Sequence, residues 1–192
     1  MWDLASRPPG LEGPLALFEV GASAGLCLLL DRYRYRYGDR SVGDASAPVV
    51  LDCEVLGPGP VPKRVPEVAW RRGIDVAPID VTDDEDVRWL EACVWPDQTE
   101  WIARLLAAVE VARQEPPVVE QGDALERTTD VVSQAPGDAT IVVFHSALMP
   151  YLTDGSRREF EELVSDLPVT WISNEGPLGA CPRSRAVDRG CG

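Results

Sequence analysis

The sequence predicts one α/β domain, built on a mostly parallel sheet with helices on both of its faces. The first observation is that short apolar runs, each bounded by glycine, proline or polar residues, alternate along the chain with segments of helical period. The second is that 192 residues with 45% hydrophobic content suffice for one domain with a buried core. We expect this domain over residues 1–178. Residues 179–192 have no apolar period and are expected to form an irregular tail.

The core strands are predicted from the apolar runs. The first run, Leu15–Val20, is ended by a glycine and is typical of a strand buried on both faces. Four further strands are expected over residues 74–81, 118–121, 139–144 and 169–173. Helices are expected between them, because Ala- and Leu-rich or amphipathic stretches cover residues 23–30, 82–94, 97–115, 125–132 and 154–166.

Residues 32–70 are predicted to be an insertion that contains a pair of strands. The segment 32–37 alternates arginine and tyrosine, so a strand there would place all three tyrosines on one face. A second strand is expected over 49–55, followed by a loop rich in proline and glycine. Basic and aromatic residues together can also form a platform for single-stranded nucleic acid. The net charge of −14 instead favours tyrosines on a core face and arginines in solvent.

Composition argues against several classes of partner. The 32 acidic residues outnumber the 18 basic ones, which disfavours binding to nucleic acid. No apolar run approaches the roughly 18 residues of a membrane-spanning helix, so no membrane contact is expected. One histidine, His145, and five cysteines without a Cys-x-x-Cys pair leave few ligands for a metal. Reduced thiols and a cytoplasmic location are the simplest expectation.

Trp89, Trp95 and Trp101 are predicted to pack in the core and at helix junctions.

The glycine-rich turn after the first strand is the strongest candidate for a binding site. Gly21 permits a sharp turn, while Ser23 and Gly25 permit a close approach of the backbone and tight packing of the next helix. The N-terminus of that helix is expected to offer free N–H groups to a ligand. Glu19, at the carboxyl end of the strand, could pair with a cationic or hydroxyl-bearing group. The alternative is a connection that binds nothing.

Two further candidates follow predicted strands, and therefore lie at the edge where open α/β sheets bind ligands. Asp123 comes after the short strand 118–121 and could face a ligand or simply cap the next helix. His145 comes after the strand 139–144 and could act as a general base. The alternative for His145 is a buried, hydrogen-bonded side chain that shapes a pocket wall.

The pattern Glu-x-Gly-x-Ser-x-Gly over residues 19–25 resembles the first motif of Rossmann-type S-adenosylmethionine-dependent methyltransferases. Residues 73–78, 118–124 and 138–146 are similar to the later motifs of that superfamily, in the same order. The resemblance implies a Rossmann-like three-layer sandwich that binds S-adenosylmethionine through the first loop. It implies that Asp75 binds the ribose and Asp123 the adenine, and that His145 borders the methyl-acceptor site. Asp52 and Glu54 remain rival candidates for the ribose-binding acid.

Nearly the whole chain also resembles DUF2332, an actinobacterial family of unknown function. The residues that carry this resemblance are 19–25, 30–35, 73–80, 94–98, 144–146 and 173–177. Members of that family are longer at both ends, which implies that this chain is a core without the flanking segments. The family name supplies no reaction.

Three functional hypotheses follow. The first is a methyltransferase that uses S-adenosylmethionine and acts on a small molecule or a protein. The second is a non-catalytic Rossmann-like module that binds a nucleoside or a partner chain. The third is a serine hydrolase, because Gly21 to Gly25 also matches Gly-x-Ser-x-Gly, with Ser23 as nucleophile and His145 as base. The sequence does not predict an oligomeric state.

Overall fold

The computed structural model describes residues 13–55, 57 and 61–176. Within these residues the strands are β1 Leu15–Val20, β2 Arg34–Tyr37, β3 Arg40–Val42, β4 Val50–Asp52, β5 Val68–Asp75, β6 Val119–Gln121, β7 Thr140–Ser146 and β8 Thr170–Asn174. The α-helices are α1 Asp84–Ala92, α2 Thr99–Gln114, α3 Ala124–Val132 and α4 Asp154–Asp166. Two 3-10 helices cover Leu26–Arg32 and Met149–Tyr151. The predicted tail and its two cysteines, Cys181 and Cys191, lie outside the described residues.

The main sheet has five parallel strands in the order β6-β5-β1-β7-β8. All six residues of β1 are buried, because this strand lies at the centre of the sheet and is covered on both faces. On one face Phe18 and Val20 pack in a cluster with residues of α3 and α4. On the other face Leu15 and Leu17 pack against Leu28 of the first 3-10 helix. The predicted α/β, Rossmann-like architecture is confirmed.

The insertion forms a second, smaller sheet in the order β3-β2-β4. It holds three strands, one more than the predicted pair. The additional strand β3 pairs antiparallel with β2 through the two-residue turn Gly38-Asp39, with Tyr37 opposite Arg40. Tyr33, Tyr35 and Tyr37 are all buried, which confirms that the tyrosines occupy a core face. Residues of α1 and α2 pack against the same cluster, so these helices are layered on the small sheet.

Strand β5 begins at Val68, six residues before the strand that the apolar pattern predicts, and ends at Asp75 rather than at residue 81. Arg71 and Arg72 interrupt the apolar run of the sequence, but each side chain has a partner in the folded protein. Arg71 forms an ion pair with Asp31 at 3.0 Å, and Arg72 lies over the ring of Trp70. Charged side chains with such partners do not prevent a strand from entering a sheet interior.

The three tryptophans do not pack in the core. Trp89, Trp95 and Trp101 are 63%, 77% and 59% exposed, so the sequence prediction is wrong for all three. Helices α1 and α2 contact the core through smaller residues, such as Val87 and Ala112, which turns the indole rings of Trp89 and Trp101 outward. Trp95 lies in the connection between the two helices.

No helix in the described part of the chain is long and apolar enough to cross a membrane. The same residues contain no group of three or more His, Cys, Asp or Glu side chains suited to a metal ion. Cys27, Cys53 and Cys93 are not joined to one another by disulfide bonds.

Candidate functional site

The glycine loop connects β1 to the first 3-10 helix at the carboxyl edge of the main sheet, and hydrogen bonds hold it to the end of β5. The N–H groups of Gly21 and Ala22 both donate to the Ile74 carbonyl, at 2.9 and 3.0 Å. The Ser23 N–H donates to Oδ2 of Asp75 at 2.8 Å, and the Gly25 N–H donates to the Ala22 carbonyl at 2.7 Å. Four loop amides are thus used inside the protein.

One expectation about this loop is wrong. The segment 23–30 does not form an α-helix, because a 3-10 helix starts only at Leu26. The N–H groups of Gly21, Ser23 and Gly25 donate within the fold, so these three positions contribute shape and close approach to a ligand rather than hydrogen-bond donors.

The loop conformation needs left-handed backbone at three of its positions, Gly21, Ser23 and Gly25. Gly25 has φ 67°, and a Cβ atom there would lie 2.8 Å from Cγ of Pro117 and 2.9 Å from Cγ2 of Val119. Glycine is therefore required at this position both for conformation and for space. Ser23 has φ 52°, which is a costly conformation for a residue with a side chain. The folded domain holds this strained turn through the bond to Asp75.

Glu19 is a buried carboxyl group next to the loop. It lies in β1 opposite Gly73 on one side and Phe144 on the other, and only 4% of it is exposed. Burial raises the pKa of this carboxyl from 4.5 to about 8; the neighbouring Asp75 raises it further, while a hydrogen bond with Cys27 opposes the shift. Its Oε2 atom has no hydrogen-bond partner among the described residues. Glu19 is therefore mostly neutral at pH 7.

Asp75 is the other acidic group that the structure brings to the loop. Its Oδ2 accepts from Ser23, and its Oδ1 accepts from the Ala77 N–H at 2.9 Å. The rival candidate Asp52 lies in the small sheet and is paired with Arg36 at 2.6 Å, away from the carboxyl ends of the main strands. Glu54 lies two residues after the end of that small-sheet strand.

Asp123 lies at the same edge of the main sheet but acts as the N-cap of α3. Its side chain accepts from the Leu125 N–H at 2.7 Å and from the Glu126 N–H at 3.4 Å. The capping role that the sequence allowed is therefore present. The carboxylate is exposed to solvent and keeps further acceptor capacity.

His145 is fully buried in β7. Its Nδ1 lies 2.6 Å from Oε1 of Glu175, and its ring packs against the rings of Phe160 and Trp171 at 5.6 and 6.0 Å. Burial lowers the pKa of this imidazole, and Glu175 opposes the shift. Nε2 has no partner among the described residues, so Ser23 Oγ is not within hydrogen-bond distance of either ring nitrogen. The structure does not assemble the nucleophile and base of the hydrolase hypothesis.

Glu175 follows the last strand, and its contact with His145 could not be predicted from the sequence, because the two residues are 30 positions apart. Only 1% of its side chain is exposed. The same oxygen that binds His145 accepts from the N–H groups of Leu148 and Met149, at 3.0 and 3.4 Å. Glu175 thereby holds the segment after β7, where Ala147 has φ 56°, against the end of β8.

A cavity of about 440 Å³ lies on the face of the sheet that carries the small sheet and α2. Aromatic and aliphatic side chains form most of its wall, including Tyr33, Tyr35, Leu105, Ala108, Phe144 and Ile172. The polar residues of the wall are Cys27, Arg104, Ser146 and Asn174, with His145. Because Ser146 and Asn174 end β7 and β8, the cavity opens beside the carboxyl edge of the main sheet.

Comparison with known proteins gives one match. Residues 2–189 match the family described as "Uncharacterized protein conserved in bacteria (DUF2332)". No curated protein matches, and no solved structure matches. The matched range includes the glycine loop, the acidic residues Glu19, Asp75 and Asp123, and the His145–Glu175 pair. Because the match covers nearly the whole sequence, the chain belongs to the DUF2332 family.

Proposed function

We propose that this chain binds S-adenosylmethionine at the carboxyl edge of the main sheet and transfers the methyl group to a small molecule or a protein. The observation that carries the proposal is the buried Glu19 carboxyl group, which lies just before the glycine loop and leaves Oε2 unpartnered within the described residues. Open α/β sheets bind ligands outside the carboxyl ends of their strands, where the strand order reverses. In this sheet the order reverses between β1 and β7, next to that loop.

The side chains at this edge suit a ligand that carries a positive charge and hydroxyl groups. Glu19 offers an unpartnered oxygen, and Asp75 keeps acceptor positions beyond the two backbone N–H groups that it binds. S-adenosylmethionine has an ammonium group, a sulfonium centre and two ribose hydroxyls. The net charge of −14 also attracts a cationic ligand to the protein.

In this proposal each acidic residue has one role. Glu19 pairs with the cationic part of the ligand, Asp75 accepts from the ribose hydroxyls, and Asp123 accepts from the adenine amino group. Gly21 and Gly25 allow the loop to lie close to the ligand, since no side chain projects from either position.

When bound, S-adenosylmethionine supplies a methyl group that a nucleophile on the acceptor takes by direct displacement. The contribution of the protein to such a reaction is mainly alignment of the two reacting groups. The buried imidazole of His145 binds Glu175, which fixes the residues after β7 beside the cavity. His145 is therefore a positioning residue in this proposal, although the sequence suggested a general base.

The test is calorimetric titration of the folded chain with S-adenosylmethionine, at pH 7 in two buffers of different ionisation enthalpy. A cationic ligand stabilises the ionised form of Glu19, so binding should release close to one proton. Glu19→Gln should weaken binding and abolish the proton release. Glu159→Gln, at an exposed position of α4, is the matched control and should change neither quantity.

Absence of binding heat at millimolar ligand in a folded sample would refute the proposal. Binding without methyl transfer to any offered acceptor would instead indicate the second hypothesis, a non-catalytic nucleoside-binding module.

A further inference from the structure

The cavity beside the carboxyl edge contains one charged side chain whose charge is not neutralised locally. Arg104, on α2, lines the cavity and has no hydrogen bond or ion pair within the part of the chain that the structure describes. Asp52 attracts Arg104 electrostatically without a direct contact, and the carboxylate of Asp52 is itself bound to Arg36 at 2.6 Å. The Arg104 guanidinium therefore keeps all its donors for another group.

The side chains of Asn174, Ser146 and Cys27 in the wall are already hydrogen-bonded, and the imidazole of His145 packs against Phe160 and Trp171. The Asn174 amide donates to Ser146 Oγ at 3.1 Å, and the Cys27 thiol is hydrogen-bonded to Glu19. The rest of the wall is apolar and partly aromatic. Such a cavity, with one free cationic group, is complementary to a ligand that is apolar over most of its surface and anionic at one end.

We propose that this cavity binds a small, mainly apolar molecule that carries one carboxylate, with the carboxylate paired to Arg104. A guanidinium group can hold a carboxylate through two parallel hydrogen bonds, which fixes the orientation of the ligand. The net charge of −14 repels anions from the protein surface in general, so Arg104 sets this cavity apart. The binding of a carboxylate in this cavity does not depend on the proposed function. Only the further step of identifying that ligand as the methyl acceptor rests on it.

The test uses octanoate as the anionic probe and octanamide as a neutral probe of the same length, each titrated calorimetrically into the full chain without S-adenosylmethionine. Octanoate should bind more tightly than octanamide. Arg104→Gln should weaken octanoate by about tenfold or more and leave octanamide unchanged. The matched control is Arg88→Gln on α1, because Arg88 is exposed and contacts only Glu85, at 3.5 Å. It should leave both affinities unchanged.

The emission of Trp101, which lines the cavity, reports where the probe binds. Octanoate should change the tryptophan emission of the wild type, and Trp101→Phe should remove that change. The proposal is overturned if octanoate gives no binding heat with the folded wild type, if Arg104→Gln binds it as well as the wild type, or if the emission change persists in Trp101→Phe. Because neither titration contains the other ligand, failure here is distinguishable from failure of S-adenosylmethionine binding.

Discussion

Replacing Glu19 with glutamine should make the stability of the protein less dependent on pH. The pKa of the Glu19 carboxyl is raised from 4.5 to about 8, with burial as the main cause. Between these two values the unfolded chain loses the proton while the folded chain keeps it. The folded state therefore binds more protons, and its free energy of unfolding falls as pH rises through this window.

The size of the effect follows from the shift. One pKa unit corresponds to about 1.4 kcal/mol, and the pKa of Glu19 rises from 4.5 to about 8 on folding, so Glu19 should cost the wild type about 5 kcal/mol of stability in total as the pH rises through this window. Below pH 4.5 the carboxyl group is protonated in both states and contributes no pH dependence. Above the folded pKa it is ionised in both states, and the loss levels off.

The assay is urea denaturation of the wild type and of Glu19→Gln at several pH values across this range. The quantity to compare is the difference between their free energies of unfolding, because other titrating groups, including His145, contribute equally to both proteins and cancel. The difference should grow with pH in favour of Glu19→Gln. The control Glu159→Gln should follow the wild type. Parallel profiles for the wild type and Glu19→Gln would refute the assignment of a neutral, buried carboxyl.

Three further predictions concern single residues. At about pH 9, where Glu19 with its pKa of about 8 is ionised, Glu19→Gln should speed the alkylation of Cys27 by iodoacetamide, since the charge of Glu19 is the largest factor that raises the pKa of this thiol; peptide mass spectrometry measures the rate, and an unchanged rate at this pH would contradict the prediction. Glu175→Ala should lower the free energy of unfolding by about 3 kcal/mol, because it leaves His145 Nδ1 and two backbone N–H groups without their acceptor. Glu175→Gln, which keeps an acceptor oxygen, should cost much less in the same urea assay. Ser23→Gly should raise the thermal midpoint, with a gain of about 0.5–1 kcal/mol from relief of the left-handed backbone; Ser23→Ala should give no such gain.

The elements that the sequence predicted well are those whose burial is uniform or strictly periodic. The observed bounds of β1 and α4 are the predicted ones. β1 is buried along its whole length, and α4 buries one continuous face, so the apolar pattern of each is unbroken. Strand β3 was missed, although Gly38-Asp39 is a typical signal for a two-residue hairpin turn. The beginning of β5 was missed because the partner of Arg71, Asp31, lies 40 residues away in the chain.

For the candidate site, the sequence predicted positions but not partners. It placed Glu19 and Asp123 correctly at strand ends, and the carboxyl ends of parallel strands meet at one edge. The strand expected over residues 74–81 would instead have begun near Asp75, the residue at which β5 ends. The sequence could not predict that Asp75 would bind the glycine loop, or that Glu175 would bind His145. Those contacts depend on how distant segments pack. The exposure of Trp89 and Trp101 shows the same limit, because helical spacing alone does not say which face meets the core.

The central position of β1 has a consequence for the order in which the protein can fold during synthesis. β1 is complete at Val20, but its two neighbours in the sheet end only at Asp75 and Ser146. At about 5–20 residues per second, the ribosome needs roughly 6–25 seconds to add the residues between Val20 and Ser146. During that time β1, all of whose residues are buried in the folded protein, has at most one of its two neighbouring strands. Pairings this distant in sequence form slowly and expose strand edges to aggregation, so the nascent chain is a natural client for chaperones that bind extended apolar segments.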